Sequence, residues 1–342
     1  MAYRILIIAP SWIGDCVMTQ PLLNRLKHRQ ADTTIDVYAA NWSKAVFSRM
    51  PEVHEVLTNP FGHGVLKLGL RYREGRALAK RHYDEVVVLP GSLKSALVPF
   101  FARIKIRTGF LGESRRGLLN NIHELDEVAL PLMVERYAKL AQAPAETLKR
   151  PVSHPHLDID VAQQHATLAA LGLTQQAAVV FCPGAEYGPA KRWPSQHYAA
   201  LAKRFIQDGK QIWLIGSNKD HEVAEEIKQL SGGQCINLCG KTQIDQAIDL
   251  IATAGLVVCN DSGLMHVAAA VGTPLVSVFG SSSPDHTPPL SDKAKILSLN
   301  LDCSPCFERI CPLGHTHCLT QLWPDRVYDA AQTLLTSVTI AR

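Results

Sequence analysis

The chain of 342 residues lacks an apolar run long enough to cross a bilayer. Its longest apolar stretch, residues 263–280, is interrupted by His266, Gly272 and Pro274, and it therefore predicts a helix followed by a strand. The apolar run Arg4-Ile5-Leu6-Ile7-Ile8 is too short for a secretory signal and leads straight into a polar turn. We therefore expect a cytosolic protein.

Two common nucleotide-binding motifs are also absent. The chain has no G-x-x-x-x-G-K-[ST] loop and no G-x-G-x-x-G turn after a strand, which argues against a P-loop NTPase and a standard dinucleotide oxidoreductase. Residues 1–150 hold 22 Lys and Arg against 14 Asp and Glu, but these cations form no continuous basic block. A scattered excess favours a phosphorylated substrate or an anionic membrane surface, and we expect no nucleic-acid partner.

The nine cysteines fall into two groups. Five lie in or beside apolar patterns, as reduced core cysteines do: Cys16, Cys182, Cys235, Cys239 and Cys259. The other four, Cys303, Cys306, Cys311 and Cys318, are spaced C-x2-C-x4-C-x6-C with His315 and His317 between them. This loop, residues 303–318, has the cysteine density of a structural zinc site, a disulfide or a group of free thiols, and the spacing leaves these alternatives open.

Short apolar runs alternate with helix-period segments almost throughout, which is typical of parallel sheets with crossover helices. A chain of this length, with 46% hydrophobic residues, exceeds a single core, so we predict two doubly wound α/β domains. The pattern lapses around residues 141–155. We therefore predict a first domain at residues 1–155, a second at 156–323, and a terminal helix at about 324–338 that packs back on the first domain.

Predicted strands lie at residues 4–9, 35–39, 55–57, 85–89 and 105–108, and at 179–182, 211–215, 235–238, 256–259 and 275–279. Residues 111–130 have no clear period and carry Arg115 and Arg116, so we interpret them as a long functional loop. Ligands of doubly wound sheets bind outside the carboxyl ends of the strands. We therefore expect the site in a cleft where the two domains face each other.

The most informative strand end is Asn260-Asp261-Ser262-Gly263. Ser262 is placed to cap the following helix, and the backbone N–H groups of that helix's first turn attract phosphate. Gly263 allows a pyrophosphate to approach the backbone closely, and His266 lies one turn further on the same face. The alternative is an ordinary capped helix.

A second strand end carries two adjacent cations, Lys191 and Arg192, within residues 183–194. Two cations there can hold a diphosphate and offset the charge that develops as it leaves. A solvated basic loop is the alternative.

Acidic residues follow two further strands. Gly14 and Asp15 form a glycine turn at a helix start, where an ionised Asp15 can accept a proton from a substrate hydroxyl or cap its helix. Glu222 lies in a first helical turn, where it can accept hydrogen bonds from ribose hydroxyls or act as a cap. Thr242 is a candidate for another wall of the same pocket. Asp158-Ile159-Asp160 has the D-x-D pattern of a metal site, but its position before a helix favours N-capping.

These motifs together resemble the bacterial heptosyltransferases, a family of glycosyltransferases. The resemblance covers nearly the whole chain and is carried by residues 10–15, 89–97, 107–110, 131–137, 183–194 and 260–266. It implies the GT-B architecture, in which two Rossmann-like domains face each other across a cleft. It also implies that the second domain holds the donor nucleotide and the first holds the acceptor.

The resemblance implies a metal-independent, inverting transfer of L-glycero-D-manno-heptose from ADP-heptose to the first heptose of the lipopolysaccharide inner core, at the cytoplasmic face of the inner membrane. No cofactor and no metal are expected. Asp15 matches the family's general base, Lys191 its phosphate-binding lysine and Glu222 its ribose-contacting acid. Thr242 lies where adenine contacts are expected, and the pyrophosphate site corresponds to Asp261, Ser262, Gly263 and His266. Some members have a lysine where this chain has Ala9.

Several alternatives stay open at this point. A heptosyltransferase with a different acceptor sugar and a GT-B-like nucleotide-sugar epimerase share the predicted architecture, and a zinc-binding interaction protein would rest on the cysteines alone. Six arginines are candidates for contacts with the acidic sugars and phosphates of an acceptor: Arg71, Arg73, Arg76, Arg107, Arg115 and Arg116.

Overall fold

The computed structural model describes residues 3–62, 64–174 and 178–340. The chain divides into two compact units, the first ending at Leu157 and the second beginning at Asp158. This division falls just after the predicted linker at residues 141–155. Each unit contains one six-stranded sheet.

The first unit contains strands β1 (Arg4–Ile8), β2 (Thr34–Ala40), β3 (Val53–Asn59), β4 (Glu85–Val88), β5 (Ile106–Phe110) and β6 (Asn121–His123). Its helices are α1 (Ile13–Met18), α2 (Gln20–Arg29), α3 (Lys44–Phe47), α4 (Leu68–Leu78), α5 (Leu93–Phe101) and α6 (Met133–Lys139). All strand pairs are parallel, in the order β3-β2-β1-β4-β5-β6. The central strands β1 and β4 are almost wholly apolar and buried, because crossover helices cover both faces of such a sheet.

The second unit contains strands β7 (Ala178–Cys182), β8 (Gln211–Leu214), β9 (Ile236–Asn237), β10 (Leu256–Asn260), β11 (Leu275–Val278) and β12 (Ala294–Leu297). Its helices are α7 (Val161–Leu171), α8 (Ser195–Gln207), α9 (His221–Leu230), α10 (Ile244–Thr253), α11 (Gly263–Ala270), α12 (His317–Thr320) and α13 (Pro324–Ile340). The parallel order is β12-β11-β10-β7-β8-β9.

Both sheets have the Rossmann strand order, with the first strand of each unit beside the fourth. The predicted α/β class with two doubly wound units is therefore confirmed. The order reverses between β1 and β4 in the first unit and between β7 and β10 in the second. In such sheets a crevice opens at this reversal, outside the carboxyl ends of the strands.

Two short strands were not predicted. β6 lies inside residues 111–130, so the interpretation of that segment as a functional loop was partly wrong: it adds a strand to the sheet, and Arg115 within it is fully buried. β6 has only three residues, too few for a recognisable period, and β12 is an edge strand with an exposed Lys295.

The terminal helix α13 belongs to the core of the second unit. Val327, Ala331 and Leu334 of α13 lie in the hydrophobic core of the second unit. The helix packs on α8 and on strands β10, β11 and β12. The apolar face of α13 is buried there because the outer side of these strands needs a covering helix.

Asp160 caps α7, accepting a hydrogen bond from the backbone N–H of Gln163 at 2.9 Å, which confirms the interpretation of the D-x-D segment as a helix cap. Within the described ranges, every helix is too short or too polar to span a bilayer.

Candidate active site

Two loops with predicted binding residues follow neighbouring central strands of the second sheet. β7 and β10 pair directly, with Cys182 beside Cys259 at their carboxyl ends. The segments that follow, residues 183–194 and 260–263, therefore meet at the reversal of strand order.

Lys191 and Asp261 form an ion pair between these two loops. Nζ of Lys191 lies 2.5 Å from Oδ2 of Asp261, and the two side chains are 17% and 6% exposed. Nζ also lies 5.0 Å from the centre of the Tyr187 ring. An ammonium has three donors, so a single carboxylate oxygen does not exhaust its capacity to bind phosphate oxygens.

Arg192 directly follows Lys191 in the sequence. Its Nη2 atom donates to the carbonyl oxygen of Ala185 at 3.5 Å. Its Nε atom is buried, and within the part of the chain that is described it has no hydrogen-bond partner. The guanidinium thus retains donor capacity next to Lys191.

Asn260 fastens residues 183–194, which we call the lysine loop, to the sheet. Its Oδ1 atom accepts hydrogen bonds from the backbone N–H of Trp193 at 3.0 Å and from the Tyr198 hydroxyl at 3.2 Å. Its Nδ2 atom donates to the carbonyl oxygen of Pro183 at 2.7 Å. This role was not predicted, although a polar residue at the end of an apolar strand was a signal for it.

The start of the lysine loop packs against Asp220. A Cβ atom on Gly184 would lie 2.4 Å from this carboxylate, so any larger residue would collide with it. Asp220 accepts hydrogen bonds from the backbone N–H and the hydroxyl of Ser217 at 2.9 and 2.8 Å. The loop after β8 and the loop after β7 are thereby held together.

Ser262 occupies the N-cap of α11, as predicted, but its side chain makes no capping hydrogen bond. Gly263 begins the helix. One turn on, His266 is buried, and this burial lowers its pKa to about 4; the nearby Lys191 also lowers the pKa, and Asp261 opposes the shift. The imidazole is therefore neutral at pH 7.

Glu222 and Thr242 lie at the same edge of the second sheet. Glu222 is exposed in the first turn of α9, whose N-cap is Asp220, so the alternative of a capping role for Glu222 was wrong. Thr242 is half-buried in the bend between β9 and α10. The structure thus places Glu222 after the carboxyl end of β8 and Thr242 after that of the neighbouring strand β9.

The cysteine-rich loop supports the lysine loop from the side. The Tyr187 hydroxyl donates to the carbonyl oxygen of Phe307 at 2.6 Å, and the backbone N–H of Ala190 donates to that of Arg309 at 3.1 Å. The Arg309 guanidinium lies 5.0 Å from the Tyr187 ring centre. The loop therefore helps to position Lys191.

All nine cysteines are free thiols in the structure, so the disulfide alternative is not realised there. Backbone hydrogen bonds, that of Thr316 first, lower the pKa of Cys311. Burial, followed by the three neighbouring thiols, raises the pKa of Cys318. The fold thus favours the thiolate of Cys311 and disfavours that of Cys318.

In the first unit, Asp15 is the third residue of α1 and is half-buried, while Gly14 is buried. The N-cap of this helix is Trp12, so Asp15 does not occupy the cap position. Burial, and next the charge of Asp15, raise the pKa of Tyr137 well above its usual value. Asp15 lies after the carboxyl end of β1, on a helix that contacts α6.

A cavity of about 180 Å³ opens at the reversal of strand order in the first unit. Its lining includes Ser11, Trp42, Asn59, Ser92 and Lys94. Hydroxyl, amide and ammonium groups beside an indole ring suit a polyhydroxylated ligand. We call this cavity the candidate acceptor pocket, after the role that the resemblance predicts for the first domain.

The six candidate arginines divide into two groups. Arg71 donates to the carbonyl oxygens of Leu66 and Lys94 at 2.6 and 2.9 Å, so it holds the pocket wall together. Arg107 and Arg115 likewise donate to backbone carbonyl oxygens. The exposed members are Arg73, Arg76 and Arg116.

The profile of Glycosyltransferase family 9 (heptosyltransferase) matches residues 71–317. The chain belongs to this family. It is 46% identical to lipopolysaccharide heptosyltransferase 2 of Escherichia coli K12, over 97% of this chain and 98% of that protein. It is 48% identical to lipooligosaccharide heptosyltransferase 2 of Haemophilus influenzae, over 86% and 88%. The solved structure of E. coli ADP-heptose LPS heptosyltransferase II superimposes with a TM-score of 0.88 at 44% identity, covering 98% of this chain and 99% of that one.

Membership of family 9 confirms the resemblance read from the sequence, and the superposition confirms the GT-B fold. This member of the heptosyltransferase family is therefore a glycosyltransferase. The roles of Asp15, Lys191, Glu222 and Thr242 stay predictions.

Proposed function

We propose that this heptosyltransferase moves L-glycero-D-manno-heptose from ADP-heptose to the first heptose of the lipopolysaccharide inner core, with inversion at the anomeric carbon. The Lys191–Asp261 ion pair at the reversal of strand order carries the proposal, because it fixes a cation where a diphosphate binds in this fold. The relatives at 46% and 48% identity carry names that fit this reaction.

The second unit binds the donor in this proposal. Lys191, Arg192 and the free N–H groups at the start of α11 hold the diphosphate and stabilise the negative charge on departing ADP. The neutral His266 adds a hydrogen bond without a further charge. Glu222 accepts hydrogen bonds from the ribose, and Thr242 contacts the adenine.

The first unit binds the acceptor, and Asp15 acts as the general base. Its carboxylate takes the proton of the acceptor hydroxyl as that oxygen attacks the anomeric carbon. The new carbon–oxygen bond forms on the face opposite to the diphosphate, and the bond to ADP breaks with its electron pair. The half-buried position of Asp15 limits competition from water.

We also infer that the enzyme works as a peripheral protein at the cytoplasmic face of the inner membrane. Lipopolysaccharide carries its inner core on a lipid anchor, so the acceptor is presented at a bilayer surface. The excess of basic residues in the first unit favours such a surface.

The decisive experiment supplies ADP-heptose with three alternatives: a core acceptor that carries one heptose, a core acceptor that carries none, and no acceptor. We expect ADP release and a mass gain of one heptose only with the first. Transfer to the heptose-free core would identify a different acceptor specificity. Conversion of ADP-heptose without any acceptor would identify an epimerase.

A further inference from the structure

The outer side of α4 and α5 in the first unit exposes large apolar side chains. Leu66, Leu68, Tyr72 and Phe100 are 51%, 52%, 55% and 41% exposed. Leu68 and Tyr72 lie one turn apart on α4. The Tyr72 ring meets that of Phe101 edge-on at 5.4 Å between centroids, and the Phe101 and Phe100 rings lie 5.8 Å apart. These side chains form one surface, which we call the α4–α5 face.

The two helices present this face as a rigid unit. A Cβ atom on Gly75 of α4 would lie 2.5 Å from the Cβ of Phe101 and 2.7 Å from the carbonyl oxygen of Val98. Only glycine permits so close an approach of the two helices. The two helices that carry the exposed side chains are therefore packed tightly against each other.

The two helices and their flanking residues also carry many basic side chains. Residues 64–107 contain ten Lys and Arg against three Asp and Glu. Two of those acids, Glu74 and Glu85, accept hydrogen bonds from Tyr38 and Arg29, and Glu85 is buried. The exposed cations on and beside the two helices are Lys67, Arg73, Arg76, Lys80 and Arg103. Exposed apolar and aromatic groups accompanied by exposed cations on the same helices are complementary to a bilayer with anionic headgroups.

The same helices build the acceptor pocket. Arg71 of α4 and Lys94, Ser95 and Val98 of α5 line the cavity at the carboxyl ends of the first sheet. A bilayer on the α4–α5 face would therefore lie against the elements that hold the acceptor.

We propose that the α4–α5 face is the membrane-docking surface of this heptosyltransferase and that it binds an anionic lipid bilayer. Docking there brings the lipid anchor of the acceptor next to the pocket that receives its sugar. The assignment of the lipid-anchored acceptor rests on the proposed function, whereas the bilayer binding itself does not.

The test is flotation of the full chain with phosphatidylcholine vesicles, with and without phosphatidylglycerol. We expect binding to the anionic vesicles that weakens at high salt, because exposed charges are screened over about 3 Å at 1 M. The Leu68→Ser/Tyr72→Ser variant should bind on the order of tenfold more weakly, since two apolar side chains no longer enter the interface. The Arg73→Gln/Arg76→Gln variant should lose about fivefold in vesicle affinity for each cation that is removed.

Matched variants in the second unit serve as controls. Ile310 and Leu313 are 72% and 59% exposed on the cysteine-rich loop, and Lys203 and Lys295 are exposed lysines. Ile310→Ser/Leu313→Ser and Lys203→Gln/Lys295→Gln should bind vesicles like the unaltered protein. Equal loss in these controls, or equal binding to neutral vesicles, overturns the proposal.

A second copy of the chain is the competing occupant of the α4–α5 face. If Leu68→Ser/Tyr72→Ser changes the association state on gel filtration and leaves vesicle binding intact, the face is a protein interface and the proposal fails.

Activity assays separate this proposal from the proposed function. Leu68→Ser/Tyr72→Ser should keep its kcat on a soluble, lipid-free core acceptor and lose rate only on an acceptor embedded in anionic vesicles. If the unaltered protein transfers heptose to neither acceptor but binds vesicles through this face, the proposed function fails and the docking surface stands. If transfer proceeds and the variants bind vesicles normally, only the docking surface fails.

Discussion

The carbonyl oxygen of Arg309 lies 2.4 Å from the point that a Cβ atom on Gly188 would occupy. The backbone N–H of Ala190 donates to this same carbonyl at 3.1 Å. The cysteine-rich loop therefore touches the backbone of the lysine loop without an intervening side chain, and the position of Lys191 depends on that contact.

Gly188→Ala should disturb the donor site. The added methyl group must displace the Arg309 backbone, at a cost of roughly 1–3 kcal/mol in the free energy of unfolding. Because Lys191 shifts with its loop, kcat/KM for ADP-heptose should fall by about 10- to 100-fold. Gly255→Ala is the matched control, since its Cβ would lie 3.6 Å from the nearest atom, an ordinary contact. Unchanged kinetics in Gly188→Ala would show that the loop contact is irrelevant to the donor.

Asp15→Asn should separate binding from chemistry. The amide keeps the size of the side chain but cannot take a proton, so kcat should fall by about 10²- to 10⁴-fold. The Kd for ADP, measured by calorimetry, should stay the same. Asp32→Asn, an exposed aspartate between α2 and β2, should leave both values unchanged. A near-normal kcat in Asp15→Asn would remove the base assignment.

Lys191→Met should affect both stability and ADP binding. It leaves the nearly buried Asp261 carboxylate without its cation, which should destabilise the protein by roughly 1–3 kcal/mol. Adding Asp261→Asn should restore part of that stability, since no uncompensated charge stays buried. ADP affinity should stay low in the double variant, because the phosphate-binding cation is still absent. Recovery of ADP affinity together with stability would mean that Lys191 is purely structural.

His266 should make stability fall in mild acid. The unfolded chain takes up a proton near the ordinary pKa of 6.5, whereas the buried imidazole does so only at about 4. Stability is therefore full above pH 6.5 and declines as the pH falls toward 4. In urea titrations, His266→Gln should lose less free energy of unfolding between pH 6.5 and 5, by up to about 2 kcal/mol. His28→Gln removes an exposed histidine, and its free energy of unfolding should change with pH as in the unaltered protein. An equal loss of stability in the two variants between pH 6.5 and 5 would contradict the prediction.

The sequence predicted most strands because their residues are apolar over their whole length. In β7 and β10 only the exact ends were uncertain, and Asn260 extends β10 beyond the predicted segment. β6 and β12 were not predicted, because a three-residue strand and an exposed edge strand carry little periodic signal. The α13 helix showed an apolar face, but the sequence could not tell which unit would cover it.

In the candidate site, too, individual residues could be predicted from the sequence, whereas the contacts between them could not. Lys191 and Asp261 were found because charged residues after apolar strands are conspicuous, yet their pairing depends on the order of β7 and β10, which no local pattern encodes. The hydrogen bond from the backbone of Trp193 to Asn260 and the burial of Arg115 were not predicted for the same reason. Both depend on contacts between distant segments.

The packing of α13 also bears on the order in which the protein folds during synthesis. The core of the second unit contains Val179 near its start and Leu334 near the end of the chain, whereas the first unit is complete at Leu157. A nascent chain can therefore close its first core while the ribosome is still translating the second unit. The second unit cannot seal its own interior until α13, which follows all of its strands in the chain, has been synthesised.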